Sequence, residues 1–192
     1  KTCYAHLESG KNIRELNLSK EDKTAIADLF LLTDKPVLYV ANVDEPSMHT
    51  GNKFSDALKA AAATEDAHVI IMSNSIEAQI SEMEDPDDNQ LFMDEYKMTE
   101  PALNKLIRSV YELLQLQTYF TCGVQEVRAW TIHEGWKAPQ AASVIHTDFE
   151  KGFIKAEVIS YNDFLQYKSE AACREVGKLR IEGKEYVVKD GD

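Results

Sequence analysis

The period of apolar and polar positions changes several times along the chain, and each change predicts a different element. Residues 1–35 read as polar helix, with Ile13 and Leu16, then Ile26, Leu29 and Phe30, at helical spacing. Ser19 followed by Asp22 marks a helix start. After Pro36 the run Val37-Leu38-Tyr39-Val40-Ala41 is short and continuously apolar, the pattern of a strand covered on both faces. It stops at the polar loop Asn42-Val43-Asp44-Glu45-Pro46. Phe54, Leu58, Ala61 and Ala62 return to helical spacing. Val69-Ile70-Ile71-Met72 is a second buried strand, ending at Ser73-Asn74-Ser75. Strand, helix and strand in that order predict parallel pairing through a right-handed crossover. Ile76, Ile80 and Met83 continue as a short helix, which Asp85-Pro86-Asp87-Asp88-Asn89 breaks. Leu103, Leu106, Ile107, Val110, Leu113 and Leu114 then mark an amphipathic helix, with Thr99 as its cap and Pro101 in its first turn.

The texture changes after Gln117. Tyr119-Phe120-Thr121 and Val127-Arg128-Ala129-Trp130-Thr131-Ile132 are rich in β-formers and flank a Gly-containing turn, so they predict a hairpin. Ala138 to Ile145 reads as a helix, Phe153 to Ile159 as an alternating strand, and the surroundings of Glu182-Gly183-Lys184 as a final hairpin. Strands around one helix make a small mixed domain, with a boundary near Leu116–Thr118.

Composition sharpens this picture. Hydrophobic residues are 44% and charged residues 28%, as in ordinary globular chains. No apolar stretch approaches the roughly 20 residues of a membrane span. The chain starts at Lys1 with no charged-then-apolar leader, so either something was removed or it is a piece of a longer protein. Cys3, Cys122 and Cys173 are sparse and widely spaced, which fits a reducing, cytoplasmic compartment. The net charge of −12 is uneven: residues 1–117 hold 11 Lys and Arg against 21 Asp and Glu, and residues 118–192 hold 10 against 12. That balance argues against DNA and leaves RNA contact to a local patch in the second part.

Ligands of an open parallel sheet sit beyond the carboxyl ends of its strands. Asn42-Val43-Asp44-Glu45 and Ser73-Asn74-Ser75 both fall there. A side-chain amide can donate to and accept from a purine edge, whereas a carboxylate only accepts and so selects ring N–H and amino groups. Asn and Asp after a strand are also ordinary turn formers, so the tetrapeptide alone leaves both readings open.

Lys35-Pro36-Val37-Leu38-Tyr39-Val40-Ala41-Asn42-Val43-Asp44-Glu45 resembles the base-recognition strand and loop of the Obg-like ATPase (YchF) subfamily of P-loop GTPases. The resemblance continues through Leu116-Gln117-Thr118-Tyr119-Phe120-Thr121 and Glu126 to Ile132. It extends over Ala138-Pro139-Gln140-Ala141-Ala142, Ile145 to Ile154, Gly177-Lys178-Leu179-Arg180 and Tyr186 to Asp192, covering most of residues 30–192 in order. It implies an α/β plus α+β chain. Residues 1–22 would be the tail of a helical insertion and 23–117 the C-terminal part of a P-loop GTPase-type parallel-sheet domain. Residues 118–192 would be a TGS domain of β-grasp, ubiquitin-like fold. Ordinary GTPases of the superfamily carry Asn-Lys-x-Asp, whose Asp reads guanine. Val43 replaces that Lys, and Glu45 stands where the Asp would be, which implies ATP preferred over GTP. Asn42 and Val43 would contact the base, Glu45 would shape the loop, and Ser73 would open the second purine-side loop, where Asn74-Ser75 departs from the family's small residues. The family's last strand, beyond the position of Asp192, is not in this sequence.

There is no G-x-x-x-x-G-K-[ST] in the chain. The resemblance places phosphate, Mg²⁺ and catalytic contacts in an N-terminal half, so the chain by itself is expected to be inactive and to hold no catalytic residue. The family also implies ribosome or ribosomal RNA association. Arg128, Trp136 and Lys137, with Lys151 and Lys155, are the candidates here, since aromatics among cations stack bases and hold phosphates. Trp130, in an alternating strand, reads rather as core. The alternative function is an RNA- or ribosome-binding TGS module without a catalytic role of its own. His6, His49, His68, His133 and His146 are scattered and make no metal-ligand spacing. His146 near Asp148 reads as a hydrogen-bonded domain histidine rather than an acid–base pair. The acidic run from Glu82 to Asp88 reads as solvated surface, lacking the Gly-pivoted loop of a Ca²⁺ site.

Overall fold

Leu38–Asn42 (β1) and His68–Met72 (β2) are short and mostly apolar, β2 carrying the β-branched run Val69-Ile70-Ile71, and they pair in parallel from Leu38↔His68 to Asn42↔Met72. Parallel pairing needs a crossover, and helix α3 (Lys53–Ala62) supplies it. Asn52 caps α3, its side chain accepting from the Phe54 and Ser55 N–H groups at 3.0 and 3.1 Å, while Ser55 Oγ accepts from the Asn52 N–H at 2.8 Å. The structure is a computed structural model describing residues 2–192; Lys1, part of the expected N-terminal helical stretch, lies outside the described residues. It divides into two compact units, the first ending at Leu113 and the second spanning Leu114–Asp192.

The first unit begins with α1 (Thr2–Glu8) and α2 (Lys20–Ile26), joined and followed by single 3₁₀ turns at Ile13–Glu15, Ala27–Leu29 and Leu32–Asp34. The stretch read as polar helix is therefore a series of short pieces. Ser19 does cap α2, accepting from the Asp22 N–H at 3.1 Å. After β2 come α4 (Asn74–Glu82), α5 (Pro86–Glu95) and α6 (Ala102–Leu113). Helix α5 occupies the segment expected to be a break. Asp85 is its N-cap, accepting from the Asp87 N–H at 2.9 Å, and Pro86 is its first residue, where a missing N–H costs nothing. Thr99 does not cap α6. The Glu77 carboxylate of α4 does so instead, accepting from the Ala102 and Leu103 N–H groups at 2.8 and 3.1 Å.

Helix α5 closes with the Lys97 N–H bonded to the Asp94 carbonyl at 3.0 Å and the Met98 N–H to the Met93 carbonyl at 2.8 Å. That double closure needs a left-handed residue, and Lys97 fills the place at φ 54°. Lys97→Gly is expected to stabilise the unit by about 1 kcal/mol, because glycine takes this conformation without a Cβ clash. A urea midpoint that stays put or falls would show that the Lys97 side chain contributes more than its strain.

In the second unit β3 (Leu116–Cys122) and β4 (Val127–His133) form the expected antiparallel hairpin, from Leu116↔His133 to Cys122↔Val127. Helices α7 (Ala138–Ser143) and α8 (Thr147–Gly152) follow, then β5 (Ala156–Val158), α9 (Tyr161–Tyr167), α10 (Glu170–Glu175) and β6 (Arg180–Glu182). The core joins Ile132 of β4, Ala138 and Ala141 of α7, and Val188, with Tyr119, Trp136, Val144, Phe153 and Tyr186 packed around it. The Tyr119 hydroxyl donates to the Ala141 carbonyl at 2.9 Å, and burial pushes its pKa up to about 12. The final hairpin is not formed. Strand β6 pairs antiparallel with β5, and Val187 beyond the turn bridges to Lys137. The last residues then run along β3: the Gly191 N–H donates to the Thr118 carbonyl at 2.8 Å and the Phe120 N–H to the Asp192 carbonyl at 2.9 Å.

Candidate functional site

The parallel register brings the ends of β1 and β2 level, and the two polar loops emerge side by side from them. The Val43 N–H donates to the Met72 carbonyl at 2.9 Å, extending the ladder one step past the strands. Beyond it the side chain of Asn42 takes over: Oδ1 accepts from the Asn74 N–H at 3.0 Å. Asn42 therefore ties the two loops together; the residue is exposed, and its amide nitrogen keeps two donor hydrogens with no protein partner among the described residues. Val43 is half-buried beside it.

The rest of the first loop is a 3₁₀ turn, Glu45–Ser47, containing Pro46. The Gly51 N–H donates to the Ser47 carbonyl at 2.7 Å, and Gly51 has φ 76°. A Cβ there would stand 2.3 Å from Ser55 Oγ and 2.9 Å from Ile71 Cδ1, so only glycine lets the loop return this close to β2 and α3. Glu45 is exposed, and its Oε1 accepts from the Tyr96 hydroxyl at 2.5 Å. That carboxylate raises the pKa of the Tyr96 phenol above its ordinary value, since it bonds the protonated form.

Ser73 has a different surrounding. It is 2% exposed; its hydroxyl lies 3.0 Å from Ser75 Oγ, and its carbonyl accepts from the Ile76 and Glu77 N–H groups at the start of α4. What this loop offers to a ligand is Asn74 and Ser75, both exposed. Ser73 itself borders a cleft of about 560 Å³ that is lined also by Met48, Met72, Glu77, Lys97, Lys105 and Arg108.

The RNA candidates of the second unit separate by their partners. Arg128 lies over the Trp130 ring at 4.1 Å, and the Trp130 indole N–H donates to Thr121 Oγ1 at 2.9 Å. Trp130 is thus half-buried under a cation, not a member of the core as its alternation suggested. Trp136, a candidate for base stacking, packs against the core and tilts onto His133 at 5.3 Å. Lys137 is paired with Glu185. Lys151 and Lys155 are exposed and have no carboxylate partner among the described residues. His146 is the N-cap of α8: Nδ1 accepts from the Asp148 N–H at 3.2 Å, a structural role. A cavity of about 680 Å³ in this unit is walled chiefly by Tyr119, Phe120, Val127, Phe153, Val158 and Phe164, a lining suited to packing rather than to phosphate or base recognition. Among the described residues, no group of three or more His, Cys, Asp or Glu side chains could hold a metal ion, and no helix is long and apolar enough to cross a membrane.

Comparison with known proteins agrees over the whole chain. The family model YchF-GTPase_C, described as a protein of unknown function (DUF933), matches residues 116–192. A relative from Escherichia coli O157:H7, named ribosome-binding ATPase YchF, is 50% identical over 190 residues, 99% of this chain and 52% of the relative. The protein of that name from Bacillus subtilis is 47% identical over 187 residues, 96% of this chain and 51% of the relative. The solved structure of the Schizosaccharomyces pombe YchF GTPase superposes with a TM-score of 0.84 at 38% identity, covering 100% of this chain and 51% of that one. The chain therefore spans about half the length of the curated relatives it matches.

Proposed function

The chain belongs to the YchF family, matching its C-terminal half, and from that premise we propose that it carries the purine-recognition loops and TGS module of a ribosome-associated P-loop ATPase. The observation that supports this most directly is the tie from Asn42 Oδ1 to the Asn74 N–H. It joins two loops at the carboxyl ends of neighbouring parallel strands and leaves amide hydrogens free to meet a purine nitrogen. Asn42 and Val43 contact the base, Asn74 and Ser75 face its other side, and the buried Ser73 orders the second loop. Glu45 shapes the first loop from its bond to Tyr96. ATP is preferred because adenine lacks the two donors that a guanine-reading carboxylate accepts, and because Val43 stands where a lysine would.

On this reading residues 1–22 are the tail of a helical insertion, 23–117 the C-terminal part of the nucleotide domain and 118–192 a β-grasp TGS domain. Phosphate and Mg²⁺ contacts fall to the half of the protein that carries the P-loop. That half would also cover the open edge of the two-stranded parallel sheet and the face of α6, where Leu103 and Ile107 are 50% and 48% exposed. Arg128 on Trp130, with Lys151 and Lys155, is the surface offered to ribosomal RNA, in the cytoplasm.

The test is a titration of the intact protein, joined to its P-loop half, with fluorescent ATP and GTP. ATP is expected to bind more tightly than GTP, and Asn42→Ala to weaken ATP about tenfold, the effect of losing a loop tie and a base contact together. Unchanged affinity in Asn42→Ala would sink the purine-site reading, and clear GTP preference in the wild type would sink the ATP assignment.

A further inference from the structure

We propose that Tyr96 is a specificity-positioning residue of the purine loop: its hydroxyl engages the Glu45 carboxylate and withholds from guanine the acceptor that position 45 would otherwise offer. The proposal rests on the purine-site reading above and names what sets the base preference of that site. Tyr96 reaches the loop from 51 residues away in sequence and grips it twice. Its hydroxyl donates to Glu45 Oε1 at 2.5 Å, and its carbonyl accepts from His49 Nε2 at 2.7 Å. The first residue of the turn Glu45–Ser47, and His49 two residues beyond it, are thereby fastened to one residue of another element.

Tyr96 is itself fixed. Its ring packs on Phe92 one turn back, with centroids 4.8 Å apart, and it is followed at once by the left-handed Lys97 that closes α5. A carboxylate reads guanine by turning its oxygens to the ring N1–H and the 2-amino group together. With one oxygen in a short O–H···O⁻ bond to a held phenol, Glu45 has a competing partner inside the protein. Adenine presents neither donor, so the bond to Tyr96 costs ATP nothing and acts on guanine alone. That is a base-selective effect from a residue that lies outside both purine loops.

The experiment compares wild type, Tyr96→Phe and Tyr96→Phe/Glu45→Gln in the intact protein, titrated with fluorescent ATP, GTP and ITP. Tyr96→Phe keeps the ring on Phe92 and removes only the hydroxyl. It is expected to tighten GTP about tenfold, the scale of one hydrogen bond to a charged group, and to leave ATP within about twofold. ITP, which lacks the 2-amino group, should gain less than GTP, a distinction that a general loosening of the loop would not produce. Glu45→Gln in the same background should abolish the gain. Tyr96→Leu must shift the ratio in the same direction, so that the result does not depend on one variant. Affinities for ATP and GTP that move together, or a GTP gain that survives Glu45→Gln, would overturn the role of Tyr96 while leaving the purine site standing. Failure of the wild type to bind any of the three nucleotides would overturn the site and this proposal with it.

Discussion

Ile132→Ala is expected to cost the second unit about 3 kcal/mol, within the 2–5 kcal/mol usual for a buried Ile reduced to Ala. Ile132 is 2% exposed and sits where β4 meets Ala138 and Ala141 of α7 and the returning Val188. Three of these four core residues are Ala or Val, too small to move into the space left by three lost methyl(ene) groups, so the cavity persists. Opposite Ile132 on β3, Gln117 is also buried and donates from Nε2 to the Val188 carbonyl at 2.8 Å. A loosened core would let water compete for that bond and add to the loss. The measurement is simplified by the sequence: both tryptophans, Trp130 and Trp136, lie in this unit, so indole fluorescence follows its unfolding alone. A urea transition displaced by the equivalent of less than about 1 kcal/mol, the range of Ile→Val, would mean that the core collapses around the truncation. The packing described would then overstate the part played by Ile132.

That core was legible in the sequence in part. The hairpin followed from two β-rich runs around a Gly-containing turn, and β1 and β2 from short apolar runs with polar loops behind them, because such signals are local. The failures are non-local. Helix α5 was hidden because Asp85-Pro86 both ends one helix and begins the next; a cap and a break use the same residues. The cap of α6 comes from Glu77, 25 residues back in sequence, so Thr99, the nearest suitable side chain, was the natural and wrong choice. At the chain's end, β6 pairs with β5 rather than with the residues just after its turn, a decision taken by tertiary pairing and not by the turn.

The candidate site shows the same division. The positions of Asn42, Val43 and Glu45 at a strand end could be read from periodicity, and their chemistry from the resemblance. That Ser73 faces inward could not, since burial of one residue in a three-residue loop depends on where α4 starts. Tyr96 gave no signal at all: it follows an acidic helix, and its importance arises only when the fold brings it to Glu45 and His49. Trp130 misled in the opposite way. It alternates with Ile132 along β4 as a core residue would, yet at the middle of that strand its ring lies under Arg128 and its indole N–H donates to Thr121.

Glu65→Ala is expected to destabilise the first unit by about 3 kcal/mol, the lower part of the range for breaking one side of a buried ion pair. The Glu65 carboxylate accepts from Arg14 Nε at 3.0 Å and from Arg14 Nη2, from Asn12 Nδ2 at 3.3 Å and from the Tyr39 hydroxyl at 3.3 Å. It thereby binds the N-terminal segment to β1 and to the end of α3. The side chains of Arg14 and Glu65 are only 17% and 20% exposed, so removing the carboxylate strands a guanidinium away from water with one remaining acceptor among the described residues, the Thr33 carbonyl at 3.4 Å. The pair Lys59–Asp56, 3.5 Å apart and 45% and 66% exposed, is the internal control; Lys59→Ala should change stability by less than about 0.5 kcal/mol. Urea unfolding followed by far-ultraviolet circular dichroism separates the two variants, and amide exchange of residues 6–16 should accelerate in Glu65→Ala alone. Glu65→Leu combined with Arg14→Met should recover much of the loss, because it is the unpaired charge, more than the missing bond, that destabilises. Equal effects of Glu65→Ala and Lys59→Ala would mean that the N-terminal segment is held by Ile13, which is fully buried, and that the polar hub only decorates an apolar anchor.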